Sequence, residues 1–300
     1  MITPAYLSKG DKIGIIAPAR CINFEEVHPS IRLFQKWGLE VELGTNIFRK
    51  CNQYAGKDEQ RLADLQQMLD DDSIRAVICA RGGYGTIRIV DHIDFTAFVK
   101  KPKWIVGYSD ITVLHSHIQR HFGIETLHAA MPINILSSDD TPNDTLDTMR
   151  NALFGKIRSY SFPVTPLARN GEADGILTGG NLSILYSLIG SVSEVDTTGK
   201  ILFLEDVDEY LYHIDRMMMA LKRAGKLTKL KGLIVGTMDH MNDNKIPYGH
   251  TANEIISEAV AEYNYPVCFD FPSGHGETNL ALVLGRKVKF NVGTDIELTF

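Results

Sequence analysis

Apolar residues in the first half of this chain fall into two alternating patterns. Short unbroken runs, Lys12-Ile-Gly-Ile-Ile-Ala-Pro18, Leu39 to Leu43, Ile74 to Ala80 and Ile105-Val106, are separated by segments whose apolar residues recur three or four apart. The runs predict strands buried on both faces, and the spaced segments predict amphipathic helices. One helix is expected from Phe24 to Trp37, carrying Val27, Ile31, Leu33, Phe34 and Trp37 and stopped by Gly38. Others are expected from Asp58 to Asp70, with Leu62, Leu65, Met68 and Leu69 on the apolar side, and from about Thr86 to His92. This rhythm predicts a parallel sheet with helices on both faces, whose ligands bind outside the carboxyl ends of the strands.

The second half has more strand. Expected strands run from Gly175 to Thr178, Lys200 to Leu204, Gly232 to Gly236 and Pro266 to Phe269, with two or three closing strands from Leu280 to Phe300 that alternate as a one-face-exposed sheet does. Helices are expected after Asn181, around Tyr212 to Leu221, and from Ala252 to Tyr263. Ser137 to Asp144 is polar and turn-rich, and a helix follows to Phe154. Pro163 to Gly175 is again rich in Pro, Gly and charge, which places a boundary near Pro163 and predicts domains 1–163 and 164–300.

The chemistry of most interest is arranged around Ser109. In Lys103-Trp-Ile-Val-Gly-Tyr-Ser-Asp110, a buried strand meets a glycine that permits a sharp turn, then a serine. Ile111, Val113, Leu114 and Ile118 then begin a helix at about Asp110. Strand, turn, serine, helix is the order of a nucleophile elbow, with the N–H of Asp110 facing any oxyanion formed there. Ile111 stands where a full G-x-S-x-G motif has its second glycine, so a serine that only caps the helix is the competing reading. The loop Arg81-Gly-Gly-Tyr-Gly85 falls at the same sheet edge and offers a second oxyanion donor from Gly82 or Gly83. It lacks the spacing of a dinucleotide or P-loop phosphate cradle.

A serine at its free pKa needs a base, and the base an orienting acid. Among ten histidines, His275 is the one in a Gly-flanked loop, Gly274-His-Gly276; Glu205 follows an apolar strand, where a carboxylate is either partnered or costly. The bland alternatives are a surface-turn histidine and a glutamate that pairs with a lysine or caps the next helix. His115, His117 and His121, and separately Asp239, His240 and Asp243, contain metal-capable groups without a metal-site spacing.

Composition narrows the partners. With 300 residues, 44% hydrophobic and 23% charged, the chain reads as soluble and globular. It carries 31 basic and 37 acidic residues, a net charge of −6, and no basic stripe, so nucleic acid is not an expected partner. No leader-like start or long apolar run is evident, which predicts a cytoplasmic protein without membrane attachment. Cys21, Cys51, Cys79 and Cys268 lie far apart and read as reduced thiols, Cys79 within a buried strand.

Taken together, Gly10-Asp-Lys-Ile-Gly-Ile-Ile-Ala-Pro18, Arg81-Gly-Gly-Tyr-Gly85, Gly107-Tyr-Ser-Asp110, Thr178-Gly-Gly-Asn-Leu182, Leu204-Glu-Asp206 and Gly274-His-Gly276 resemble the LD-carboxypeptidase family of serine peptidases, which includes murein tetrapeptide carboxypeptidases and microcin C self-immunity peptidases. The resemblance implies an α/β fold, a flavodoxin-like N-terminal domain with a smaller strand-rich α/β C-terminal domain, and a site at the domain interface. It implies Ser109 as nucleophile, His275 as general base and Glu205 as its orienting acid, with Asp110 and Gly82 or Gly83 supplying oxyanion N–H groups. No metal or cofactor is implied, and a homodimer is. His128-Ala-Ala-Met131 departs from the His-Gly-Pro-Met of many relatives. The microcin branch typically bears a tryptophan in a second-domain loop, whereas Trp37 and Trp104 both precede Pro163, which favours a murein tetrapeptide substrate. The rivals are a peptidyl-nucleotide hydrolase of the same chemistry and a non-catalytic peptide-binding protein.

Overall fold

The computed structural model describes residues 1–136 and 143–300, so most of the polar segment after Ile135 lies outside the described residues. The chain divides into two compact units, Met1–Lys156 with Leu280–Leu282, and Ile157–Asn279 with Val283–Phe300.

In the first unit, strands β1 (Lys12–Ile16), β2 (Glu40–Leu43), β3 (Ile74–Cys79), β4 (Trp104–Gly107) and β5 (Thr126–His128) alternate with helices α1 (Phe24–Lys36), α2 (Asp58–Asp70), α3 (Thr96–Lys100) and α4 (Thr112–Phe122). The helix α5 (Asp144–Leu153) follows. The sheet order is β2-β1-β3-β4-β5, the flavodoxin order, extended at its edge by β11 (Leu282–Leu284). The pairings β1·β2, β1·β3, β3·β4 and β4·β5 are parallel, with Ile13 opposite Val41, Ile15 opposite Ile78 and Val77 opposite Ile105. Because helices cover such a sheet, its strands are buried without alternation: Ile13, Ile15, Ile16, Val77, Ile78, Ile105 and Val106 are all fully inaccessible. Each such side chain contributes roughly 1.5–3 kcal/mol of burial.

Local sequence explains the helix ends. At α1 the side chain of Asn23 accepts the N–H of Glu26 at 2.9 Å while Glu26 accepts the N–H of Asn23 at 2.8 Å, a reciprocal cap, and Gly38 past the end sits at φ 87°. The helix expected from Thr86 to His92 is instead two single 3₁₀ turns, Thr86–Arg88 and Val90–His92, ahead of the short α3. The segment begins with Gly85 at φ 149°, and Ile89, at φ −115°, interrupts it between the two turns. The helix expected at Asp110 starts two residues later, because Ser109–Ile111 form a 3₁₀ turn.

The second unit is a seven-stranded mixed sheet in the order β10-β9-β8-β7-β12-β13-β6. Its strands are β6 (Ser159–Pro163), β7 (Gly171–Asn181), β8 (Lys200–Val207), β9 (Gly232–Asp239), β10 (Val267–Cys268), β12 (Lys287–Val292) and β13 (Asp295–Thr299). β7 through β10 pair in parallel, and β7·β12, β12·β13 and β13·β6 are antiparallel. The closing strands alternate as their pattern predicts, with Val288, Phe290, Val292, Ile296 and Leu298 inward. Helices α6 (Leu182–Ser187), α7 (Leu211–Arg223) and α8 (Ala252–Ala259) form a core with Leu202, Leu204, Leu233 and Val235. Met217 and Met218 are wholly buried in it as filler. α8 ends four residues before Tyr263. β8 runs on through Glu205 to Val207, so the glutamate is inside the strand and not at its mouth.

Candidate active site

In the first unit, β4 ends at Gly107 with φ 156°, and Ser109 follows at φ 62°, a left-handed conformation unusual for a residue with a Cβ. Backbone strain of this kind is kept only where surrounding contacts enforce it, and here they are visible. His115, one turn into α4, places its Nε2 2.8 Å from the carbonyl of Gly107. Burial pushes that imidazole down to about 4, so it is neutral and Nε2–H donates. One residue past the serine, the buried Asp110 carboxylate accepts the N–H of Thr86 at 2.9 Å. Burial raises the pKa of Asp110, while the Thr86 hydrogen bonds oppose the rise. The turn with the serine is thereby tied to the loop after β3.

That loop comes very close. A Cβ on Gly82 would lie 2.9 Å from Ser109 Cβ, 3.0 Å from its Oγ and 3.4 Å from the nitrogen of Asp110. Only glycine fits there without displacing the serine. Among the described residues no hydrogen-bond acceptor takes the N–H of Asp110, Gly82 or Gly83. Unclaimed backbone donors are uncommon in folded proteins, and those of Gly82 and Asp110 adjoin one partly buried hydroxyl. The cradle is held from behind by Arg61 of α2, 1% exposed, which donates to the carbonyls of Pro18 and Gly85 and pairs with Asp58.

In the second unit, Glu205 is completely buried and its Oε2 accepts from His275 Nδ1 at 2.6 Å. Burial by itself would lower the histidine's pKa, but the charge and hydrogen bond of Glu205, reinforced by Asp206 and Asp239, outweigh it and raise the net value. The histidine loop is positioned by a bulge. Between Leu204–Asp206 of β8 and Val235–Met238 of β9 the register shifts, so that β9 carries one extra residue opposite Glu205. Thr237, in the bulge, donates its N–H to the carbonyl of Ser273 at 3.0 Å, and its hydroxyl accepts the N–H of Gly276 at 3.2 Å. Asn279 accepts the N–H of Gly274 at 3.1 Å. A Cβ on Gly274, at φ 128°, would fall 2.9 Å from Glu205 Cβ, so that glycine admits the glutamate.

Asp206 faces the other way along the strand. It accepts from Asn181 Nδ2 at 2.9 Å, the N–H of Ser183 at 2.8 Å and the N–H of Val207 at 2.9 Å, holding the start of α6. Burial, and then the neighbouring Glu205 charge, push its carboxyl up to about 7 against those donors.

The structure therefore brings Glu205 to His275, and Gly82 and Asp110 to Ser109. Thr237, Asn279, Asp206 and His115 act as supports that pattern reading did not assign. The two-acid step Glu205-Asp206 at the end of an apolar run was the available signal for one of them. Among the described residues no group of three or more His, Cys, Asp or Glu is placed to hold a metal ion. His117 stacks on Phe95 at 5.2 Å between centroids and is packed within its unit. No helix of the described residues is long and apolar enough to cross a membrane.

Comparison with known proteins bears on both halves. Residues 13–129 match the LD-carboxypeptidase N-terminal domain and residues 174–290 the LD-carboxypeptidase C-terminal domain. The chain belongs to the LD-carboxypeptidase family. As a family member it is a carboxypeptidase-type hydrolase. It is 37% identical over 290 residues to a probable murein peptide carboxypeptidase of Bacillus subtilis, across 96% of this chain and 91% of that one. To the murein tetrapeptide carboxypeptidase of Pseudomonas aeruginosa it is 29% identical over 283 residues, 92% and 91% of the two chains. The crystal structure of a muramoyltetrapeptide carboxypeptidase from Oxalobacter formigenes superposes with TM-score 0.84 at 27% identity, covering 96% and 98%. A microcin C7 self immunity protein superposes with TM-score 0.88 at 20% identity, covering 100% and 99%, which is a likeness of fold alone.

Proposed function

We propose that this LD-carboxypeptidase removes the terminal D-alanine from murein tetrapeptide in cytoplasmic peptidoglycan recycling, through Ser109, His275 and Glu205. The observation that carries the reading is the 2.6 Å bond between the fully buried Glu205 and His275 Nδ1, in a chain similar to a probable murein peptide carboxypeptidase and to a murein tetrapeptide carboxypeptidase. With Nδ1–H committed to the carboxylate, Nε2 is the basic nitrogen.

Ser109 Oγ attacks the carbonyl of the diamino acid as its proton passes to His275 Nε2. The resulting oxyanion is held by N–H groups of Asp110 and of Gly82 or Gly83, which no other group among the described residues engages. Collapse breaks the amide, and the imidazolium gives its proton to the departing amine of D-alanine. Water then attacks the acyl-serine with His275 again as base, releasing the tripeptide and restoring the hydroxyl. Glu205 keeps the imidazole in the required tautomer and offsets the positive charge it gains. No step uses a metal or cofactor. We further propose that the enzyme acts as a homodimer, a point that light scattering in solution decides.

The test is side-by-side hydrolysis of murein tetrapeptide and a peptidyl-nucleotide, with Ser109→Ala as control. Release of D-alanine dependent on Ser109 supports the reading. Turnover of the nucleotide conjugate alone would transfer the site to a microcin-type substrate, and tight peptide binding with neither turnover would make it a binding protein.

A further inference from the structure

The loop that packs on Ser109 is bracketed by two arginines without acidic partners. Four arginines are tied to this edge of the first sheet: Arg20 after β1, Arg61 on α2, Arg81 after β3, and Arg88 in the following 3₁₀ turn. Arg61 and Arg88 share Asp58. Arg20 and Arg81 pair with no carboxylate among the described residues, and the side-chain hydrogen bond made by Arg81 goes from Nη1 to the carbonyl of Cys21 at 3.1 Å. Arg20 lies across the neighbouring glycine. A Cβ on Gly83, at φ 108°, would fall 2.2 Å from Arg20 Cδ, and the Arg20 N–H donates to the carbonyl of Gly82 at 3.4 Å. Arg20 is exposed and Arg81 partly so.

We propose that Arg81, with Arg20 beside it, binds the terminal carboxylate of the peptide substrate. This deepens the reading of Ser109 as nucleophile and rests on it. In a peptide cut at its last amide, the carboxylate carbon is three bonds from the attacked carbonyl carbon, about 3–4 Å away. Its binding group must therefore come from residues next to the nucleophile and its oxyanion donors. Arg81 directly precedes Gly82, which touches Ser109. A guanidinium offers a planar fork of donors that matches a carboxylate, and the bond to the Cys21 carbonyl fixes the group while leaving further N–H donors for a ligand. The glycines at 82 and 83 thus serve two ends: they admit the serine on one side and a cation on the other. The consequence is exopeptidase selectivity, since a continuing chain or a C-terminal amide has no charge to offer this pair.

The experiment compares kcat/KM for L-Ala-γ-D-Glu-meso-diaminopimelate-D-Ala and for the same peptide ending in D-alaninamide. Wild type should prefer the free acid by on the order of 10²-fold, the scale of a charge-assisted bidentate contact. Arg81→Ala should lose most of its activity on the acid and change within about threefold on the amide, so that the preference collapses. Arg81→Lys should keep an intermediate preference, and Arg20→Ala should reduce it severalfold. A fall on both substrates by the same factor would show that Arg81 only supports the loop and would overturn the inference, as would equal turnover of both peptides by wild type. Failure of wild type to cut either peptide would instead contradict the proposed function, and this inference with it.

Discussion

Glu205 and His275 lie 70 residues apart in sequence and are joined by a 2.6 Å hydrogen bond from Nδ1 to a carboxylate with no solvent exposure. A buried carboxylate that engages one ring nitrogen selects the tautomer with its lone pair on the other. Glu205→Gln is therefore expected to lower kcat by about 10²–10⁴-fold with a small change in KM. Steady-state kinetics on the tetrapeptide check this.

The pH profile follows from the same pair. The pKa of His275 is raised from 6.5 because the Glu205 charge and hydrogen bond, with Asp206 and Asp239, overcome burial. A general base must be neutral, so kcat/KM should climb with pH through a midpoint above 6.5. Glu205→Gln removes the strongest raising influence and should move the midpoint down. The stability sign is opposite. Protonation is favoured in the folded state, so the pair's contribution is complete below the unfolded pKa and disappears as pH rises through the folded one. The melting-temperature gap between wild type and Glu205→Gln should narrow over that interval.

Gly82→Ala tests the contact between the loop and the nucleophile. Its added methyl would sit 2.9 Å from Ser109 Cβ and 3.0 Å from Oγ, and Gly82 itself lies outside the left-handed region. The expected result is a loss of at least about tenfold in kcat with a stability change under about 1–3 kcal/mol, since the strain is local overpacking at a partly exposed serine. Parallel kinetics and urea melts separate the two effects.

Asp206→Ala should act on stability. The change leaves Asn181 Nδ2 and two backbone N–H groups without their buried acceptor. A loss of about 2–4 kcal/mol is expected, read from the urea midpoint of the second sheet's unfolding.

Most of the first sheet was legible because parallel strands must be apolar on both faces. α2 has the bounds its apolar spacing predicts, Asp58–Asp70. What escaped was decided by partners distant in sequence. β6 alternates half-buried with exposed residues and ends in Pro163, which suits an edge strand and offers little local signal. Glu205 and Asp206 extend β8 although carboxylates are poor strand formers, because His275 and the start of α6 each take one of them. The bulge at Thr237 that seats the histidine loop has no signature of its own. In the site, Ser109, Glu205 and His275 were singled out by their loops and by a family resemblance, while Thr237 and Asn279 became visible only through the hydrogen bonds they make to residues 273–276.

The most direct measurement is mass-spectrometric detection of D-alanine released from L-Ala-γ-D-Glu-meso-diaminopimelate-D-Ala, by wild type and by Ser109→Ala, with and without chelator. Wild type is expected to release D-alanine at a rate that chelator leaves unchanged, and loss of the serine hydroxyl should lower that rate by several orders of magnitude. Undiminished release by Ser109→Ala, or loss of release on chelation, would contradict the proposed serine mechanism.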